Sequence, residues 1–159
     1  MQRTVQVHTV LSSEQLKFRS MRGQEGLSQL FEFEVDMVST SFSLDLKQLL
    51  GTSLTLELAD EGGPRFLNGT VVRFELVGRA NETGRHYIYR ALVQPWLWYL
   101  TRTTDCRIFQ NKSVPEVLDE VLGKYGFQFE KRLTGNYAAQ EYCVQYQESD
   151  FSFVSRLME

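Results

Sequence analysis

The chain has 159 residues, 42% hydrophobic and 23% charged, enough to build a core in one domain, or in one domain and part of a second. Its formal net charge of −3 is spread along the chain; no Lys/Arg cluster tracks a phosphate backbone, which argues against nucleic acid as a partner. No run of about 18 apolar residues offers a membrane span, Met1–His8 lacks the continuous apolar stretch of a secretory signal, and Cys106 and Cys143 have no second Cys or His at ligand spacing, so they read as reduced thiols.

The first hundred residues carry strand periodicity. Thr4–Val10 alternates, with Val5 and Val7 on one face. In Leu30–Val38, Phe31, Phe33, Val35 and Met37 fall on one side and Glu32, Glu34 and Asp36 on the other. A period of two marks a half-buried antiparallel strand; a helix would mix the two sets. Gly26–Gln29 joins this strand to Phe18–Glu25 as a hairpin. Leu44–Leu50 reads as a short helical turn ended by Gly51, and Thr52–Ala59 alternates again through Leu54, Leu56 and Leu58. After the turn Asp60–Pro64, Phe66–Val77 and Arg85–Gln94 form a long hairpin around Gly78–Gly84. Its strands are apolar on both faces (Val71 and Val72, Tyr87 and Ile88). That points to a closed barrel or to a strand covered by another chain.

The character changes near Thr101. Ser113 and Glu116 fit a capping box. Val114, Val117, Leu118, Val121, Leu122 and Tyr125 then make one apolar helical stripe, with Lys124 and Gly126 suited to its end. Phe127–Lys131 and Glu141–Gln147 read as strands. Ser149 starts a second helix with Phe151, Val154, Leu157 and Met158 inward; it runs into the end of the chain, which predicts that the sequence is part of something longer. The expected organisation is α+β, mainly β: residues 1–102 a β-barrel portion, 103–159 the start of a smaller α/β domain.

Chemistry is hard to find. The two histidines, His8 and His86, lie in predicted strands outside any nucleophile motif, and no G-x-S-x-G, H-E-x-x-H or Walker-type loop occurs. Glu148 and Asp150 are close in sequence; a glycosidase would place two such carboxyls across a sugar cleft, one with a raised pKa. Asp150 is better explained as a first-turn residue favoured by the helix dipole. The face Glu32, Glu34 and Asp36 is either solvated or meets a basic partner surface. Trp96–Tyr99 could stack a sugar or a base, or close a barrel end or a domain junction.

Three blocks together carry a family resemblance: Tyr89–Leu100 (YRALVQPWLWYL), Arg107–Leu118 (RIFQNKSVPEVL) and Glu141–Glu159 (EYCVQYQESDFSFVSRLME). Leu49–Gly51 and Phe66–Gly69 add to them. Their order and spacing resemble the N-terminal region of VgrG proteins of type VI secretion systems and the related Rhs-associated Vgr proteins, which are similar to the baseplate hub of contractile phage tails. The resemblance implies a hub-like β-barrel followed by the start of an α/β domain. It implies a homotrimer that docks on the hexameric Hcp tube among baseplate proteins, with a PAAR protein and effectors held by regions outside this sequence. It also implies assembly in the cytoplasm, export through the apparatus without a signal peptide, and no catalytic residue, cofactor or metal. A contractile phage or phage-derived tail is the alternative setting, and a glycan hydrolase the enzymatic one.

The residues of the matching motif are Arg107, Ile108, Phe109, Gln110, Ser113, Glu116, Tyr146, Asp150, Phe151 and Arg156, all expected to act structurally. Ser113 and Glu116 would set the helix entry, and Ile108 and Phe109 would fill the core. Arg107 and Arg156 would pair with acids such as Asp105 or Glu148, or stand solvated.

Overall fold

The computed structural model describes residues 5–59, 62–81 and 85–159. Thr4, the 60–61 part of the predicted turn and the hairpin tip at 82–84 lie outside the described residues. The chain divides into two compact units, Met1–Pro95 and Trp96–Glu159, each described by itself.

The first unit is a six-stranded antiparallel sheet. In chain order its strands are β1 (Val5–His8), β2 (Lys17–Gln24), β3 (Glu32–Ser39), β4 (Ser53–Leu58), β5 (Arg65–Arg79) and β6 (Tyr87–Gln94). Their spatial order is β1-β4-β5-β6-β3-β2. The sheet curls until its edge strands β1 and β2 come into contact, with no ladder between them among the described residues. The alternation read in β3 is realised: Phe33, Val35 and Met37 are buried, facing Leu54 and Leu56 of β4 and Tyr89, Ala91 and Val93 of β6 in one core. Each Val, Leu, Phe or Met among them contributes about 1.5–3 kcal/mol on full burial. The predicted helical turn is a 3-10 segment at Leu46–Gln48, started by Asp45, whose carboxylate accepts from the Lys47 N–H at 3.0 Å. Gly51 follows at φ 76°, a conformation that costs glycine little.

The two-faced apolar pattern of β5 has a local cause. Val71 pairs with Val93 and Arg73 with Leu92, so Val72 is the extra residue of a β-bulge. The bulge shifts the inward parity, and Phe74 follows Val71 into the core three residues later. In β6, Tyr87 packs inward with Tyr89, while Ile88 is half-buried. His86 precedes β6 instead of lying within a strand; its carbonyl accepts from Ala80 N–H at 2.8 Å and closes the hairpin.

The second unit opens with a 3-10 segment, Trp96–Arg102, and continues through β7 (Thr104–Lys112), α1 (Val114–Gly123), β8 (Gln140–Ser149) and α2 (Asp150–Met158). Strands β7 and β8 form an antiparallel ribbon. Val117, Leu118, Val121 and Leu122 of α1 pack with Leu100, Phe109, Cys143, Phe153 and Val154. Phe109 and Phe153 stack at 5.6 Å between ring centroids.

Three expectations are corrected here. Phe127–Lys131 is not a strand: it has no ladder partner, and the ribbon stops at two strands among the described residues. Phe127 stacks instead on Trp96 at 5.1 Å and on Tyr99 at 5.9 Å. Ile108 does not fill the core; it is 68% exposed, because strand alternation sends it to the face opposite Phe109. In α2 the fully buried aromatic is Phe153, while Met158 is 60% exposed.

Candidate functional site

The predicted acidic face of β3 meets basic groups within its own sheet. The Arg90 guanidinium of β6 binds Asp36 with two bonds, 2.7 and 3.0 Å, and its Nε lies 3.0 Å from Glu34. Arg22 of β2 reaches Glu34 from the other side at 2.5 Å. Gln94 donates to Glu32 at 2.7 Å. The Arg90 hydrogen bonds hold the Asp36 carboxyl below its ordinary range, and the same contact raises Arg90. Glu34 and Asp36 are thus paired with arginines within the sheet, while Glu32 meets only a neutral amide.

The second unit contains the most enclosed polar cluster. Asp150, the first residue of α2, is 1% exposed, and Gln145 of β8 is completely buried. Arg107 of β7 donates through Nε to Gln145 Oε1 at 2.9 Å and through its terminal nitrogen to Asp150 Oδ1. Its Nε also lies 3.1 Å from Asp105. Gln145 Nε2 donates to Asp150 Oδ1 at 2.8 Å and to the Glu148 carbonyl at 3.1 Å. The Tyr125 hydroxyl, just after α1, donates to Asp150 Oδ2 at 2.8 Å. The Asp150 N–H donates to the Thr103 carbonyl at 2.9 Å. Burial first, then the carboxylate beside it, pushes the Tyr125 hydroxyl above its usual pKa. One carboxylate thus ties the ribbon, the end of α1 and the start of α2 together. Among the described residues, no buried side-chain nitrogen or oxygen lacks a partner.

Helix starts are fixed separately. The Glu116 carboxylate accepts from the Ser113 N–H and hydroxyl, each at 2.7 Å, and these bonds lower its pKa. Ser149 Oγ accepts from Ser152 N–H at 3.0 Å and caps α2. Arg156 donates to Glu148 at 2.6 Å and to the Val144 carbonyl at 3.2 Å, and lies over the Phe153 ring.

Of the ten motif residues, Arg107 and Asp150 meet directly. Phe109 and Phe151 pack in the adjoining core, Ser113 and Glu116 cap α1, and Arg156 holds α2 to β8. Ile108, Gln110 and Tyr146 lie on the opposite, exposed side of the ribbon. Gln145 and Tyr125 are the polar partners that sequence reasoning missed. The available signal was Gln145 itself, a polar residue in step with the inward Cys143.

Both carboxylates of the suspected pair, Glu148 and Asp150, are engaged by arginines. His8 is exposed and pairs with Glu57 across the β1–β4 edge at 2.8 Å. Among the described residues, no three His, Cys, Asp or Glu side chains are grouped to hold a metal ion. No described helix is long and apolar enough to cross a membrane.

Comparison with known proteins agrees with the fold. Residues 24–159 match the profile of the phage tail baseplate hub (GPD) family. The chain belongs to the phage tail baseplate hub family. It is 46% identical to the type VI secretion system spike protein VgrG1a of Pseudomonas aeruginosa, over 99% of this chain and 24% of that protein. It is 43% identical to VgrG1c of the same organism, over 99% of this chain and 22% of that protein. The hub chain therefore spans about a quarter of the length of these relatives. A solved structure of the E. coli c3393 protein, described as a type VI secretion component with structural similarity to T4 tail proteins gp27 and gp5, superposes with a TM-score of 0.81. That match has 22% identity and covers 96% of this chain and 42% of the other, and it shows the shared fold.

Proposed function

We propose that this chain is hub-forming sequence of a type VI secretion tail spike, working by shape and contact without turnover. The observation that carries the reading is the 46% identity to a VgrG spike protein across nearly the whole chain, within the baseplate hub family. The first unit supplies a curved wall on which Glu34 and Asp36 are paired with Arg22 and Arg90. The second supplies a rigid ribbon-and-helix block held by the Arg107–Gln145–Asp150 cluster, and the ten motif residues serve that block and its contacts. In the full-length protein three copies form the hub, which docks on the hexameric Hcp tube beside baseplate proteins. A PAAR tip and effectors are carried by other parts of the polypeptide. Assembly takes place in the cytoplasm, and export goes through the apparatus itself.

A test follows directly. Deleting the gene in its own bacterium abolishes appearance of the tube protein in the medium, and the intact gene restores it. Undiminished release of tube protein in the deletion strain contradicts the reading. A phage-derived tail is the second reading, favoured by the family match alone. It predicts sheathed particles released by lysis in place of contact-dependent secretion.

A further inference from the structure

Of the four asparagines in the chain, Asn68 alone is followed by glycine. Asn-Gly is the dipeptide most prone to lose its side-chain amide, because a glycine N–H, with no Cβ beside it and a freely turning backbone, reaches the preceding side chain with the least hindrance. The fold does not let this glycine be replaced. Gly69 takes an inward place in β5, between Leu67 and Val71. A Cβ there would stand 2.7 Å from Val93 Cγ1, 2.9 Å from the Gln94 carbonyl oxygen and 3.1 Å from Phe31 Cε2. Asn68 is exposed and pairs with Thr55 of β4, as Gly69 pairs with Leu54. The Asn68 amide donates to Ser53 Oγ at 2.8 Å and to Thr55 Oγ1 at 2.6 Å. The most reactive dipeptide of the sequence therefore sits in an interior strand with both reacting groups held, the amide by two hydroxyls and the glycine backbone by the ladder.

We propose that Asn68–Gly69 is a self-modifying site, shut while the sheet is formed and open once β5 leaves it. The Gly69 backbone nitrogen attacks the Asn68 side-chain carbonyl carbon. An N–C bond forms, the bond to the amide nitrogen breaks, and that nitrogen leaves as ammonia with the proton of the glycine N–H. Water then opens the cyclic imide at either carbonyl, giving aspartate or isoaspartate at position 68. The two products differ in the fold. Aspartate keeps the backbone, and the Ser53 and Thr55 hydroxyls turn to donate to its carboxylate. Isoaspartate routes the chain through the side chain and adds one backbone atom. That breaks the register of Asn68 with Thr55 and of Gly69 with Leu54, and draws Gly69 out of its place against Val93. A chain modified in this way does not regain the sheet, so the reaction marks, irreversibly, hub chains whose first unit has opened.

The test is peptide mapping by mass spectrometry of the full-length protein, aged at mildly alkaline pH in buffer and in urea. In buffer at most about one chain in a thousand is unfolded. Ammonia loss at Asn68 is therefore expected to be at least about a hundredfold slower there than in urea, local opening included. Equal rates in the two samples, or no reaction at Asn68 in urea, overturn the proposal. Asn68→Gln, whose longer side chain closes its ring far more slowly, is expected to lose the signal in urea; an undiminished signal overturns the assignment. The fate of the products is read without a refolding step, by warming the protein in buffer to near its melting temperature and mapping the soluble and precipitated fractions. Isoaspartate at position 68 is expected in the precipitate; an equal share in the folded, soluble protein overturns the register argument. Asn68→Asp is expected to fold and melt like the unsubstituted protein, and its failure to do so overturns the tolerance assigned to the aspartate product.

Discussion

Replacing Asp150 with Ala removes the shared acceptor of the buried cluster in the second unit. Arg107, Gln145 and Tyr125 each lose a bond, and the guanidinium, with a side chain 14% exposed, stays near the interior. Breaking a buried charge pair from one side costs about 3–5 kcal/mol. Asp105, 3.1 Å from Arg107 Nε and 43% exposed, offsets part of this, so the lower end, about 3 kcal/mol, is the expected cost. Asp150→Asn keeps the shape and one acceptor, and is expected to cost about 1.5–3 kcal/mol, the range of a hydrogen bond to a charged group. Urea unfolding followed by Trp fluorescence measures both, through the midpoint at constant slope. Because Arg107 and Asp150 share partners, their effects cannot add. The double variant Arg107→Met/Asp150→Ala removes the stranded charge and is expected to be more stable than the sum of the single losses by at least about 1 kcal/mol. A cost below about 0.5 kcal/mol for Asp150→Ala, the size of an ordinary surface change, or strict additivity, would refute the keystone role.

Gly69→Ala places a Cβ 2.7 Å from Val93 Cγ1 and 2.9 Å from the Gln94 carbonyl, so thermal unfolding is expected to show a loss of about 1–3 kcal/mol; an unchanged melting temperature means the sheet yields there. Leu118→Ala in α1 removes a side chain of a residue only 8% exposed and is expected to lower stability by about 2–5 kcal/mol in urea titrations, with no change indicating that the stripe is not core. The Asp36 carboxyl is held below 3.8 by Arg90. Its contribution is therefore complete above the unfolded pKa and fades as pH falls through the lower folded one. Arg90→Met is expected to remove that contribution, so the loss of stability against wild type is constant near neutrality and shrinks below pH about 4. A difference that grows on acidification contradicts the pairing.

Local patterns read cleanly where one physical rule governed the segment. The alternation of Phe33, Val35 and Met37 fixed a strand and its buried face. Ser113 and Glu116 fixed the start of α1, and the Val117–Leu122 stripe its inward side. The failures share a cause, since each depended on a neighbour distant in sequence. Phe127–Lys131 has strand periodicity but no ladder partner. Ile108 and Phe109 look equally apolar, and only the pairing with β8 and the helices says which one faces inward. Val72 looked like a second buried face until the bulge opposite β6 showed it to be an inserted residue. The acids of β3 looked free because Arg90 lies 54 residues beyond Asp36. Arg107 could be matched to several nearby acids, and its buried partner Asp150 lies 43 residues away. Spatial convergence of that kind leaves little local trace.

The most direct measurement is the mass of the purified full-length protein by multi-angle light scattering, followed by mixing with hexameric tube protein. The account predicts three chains per particle and one particle bound per ring. A stable monomer that ignores the ring would contradict it.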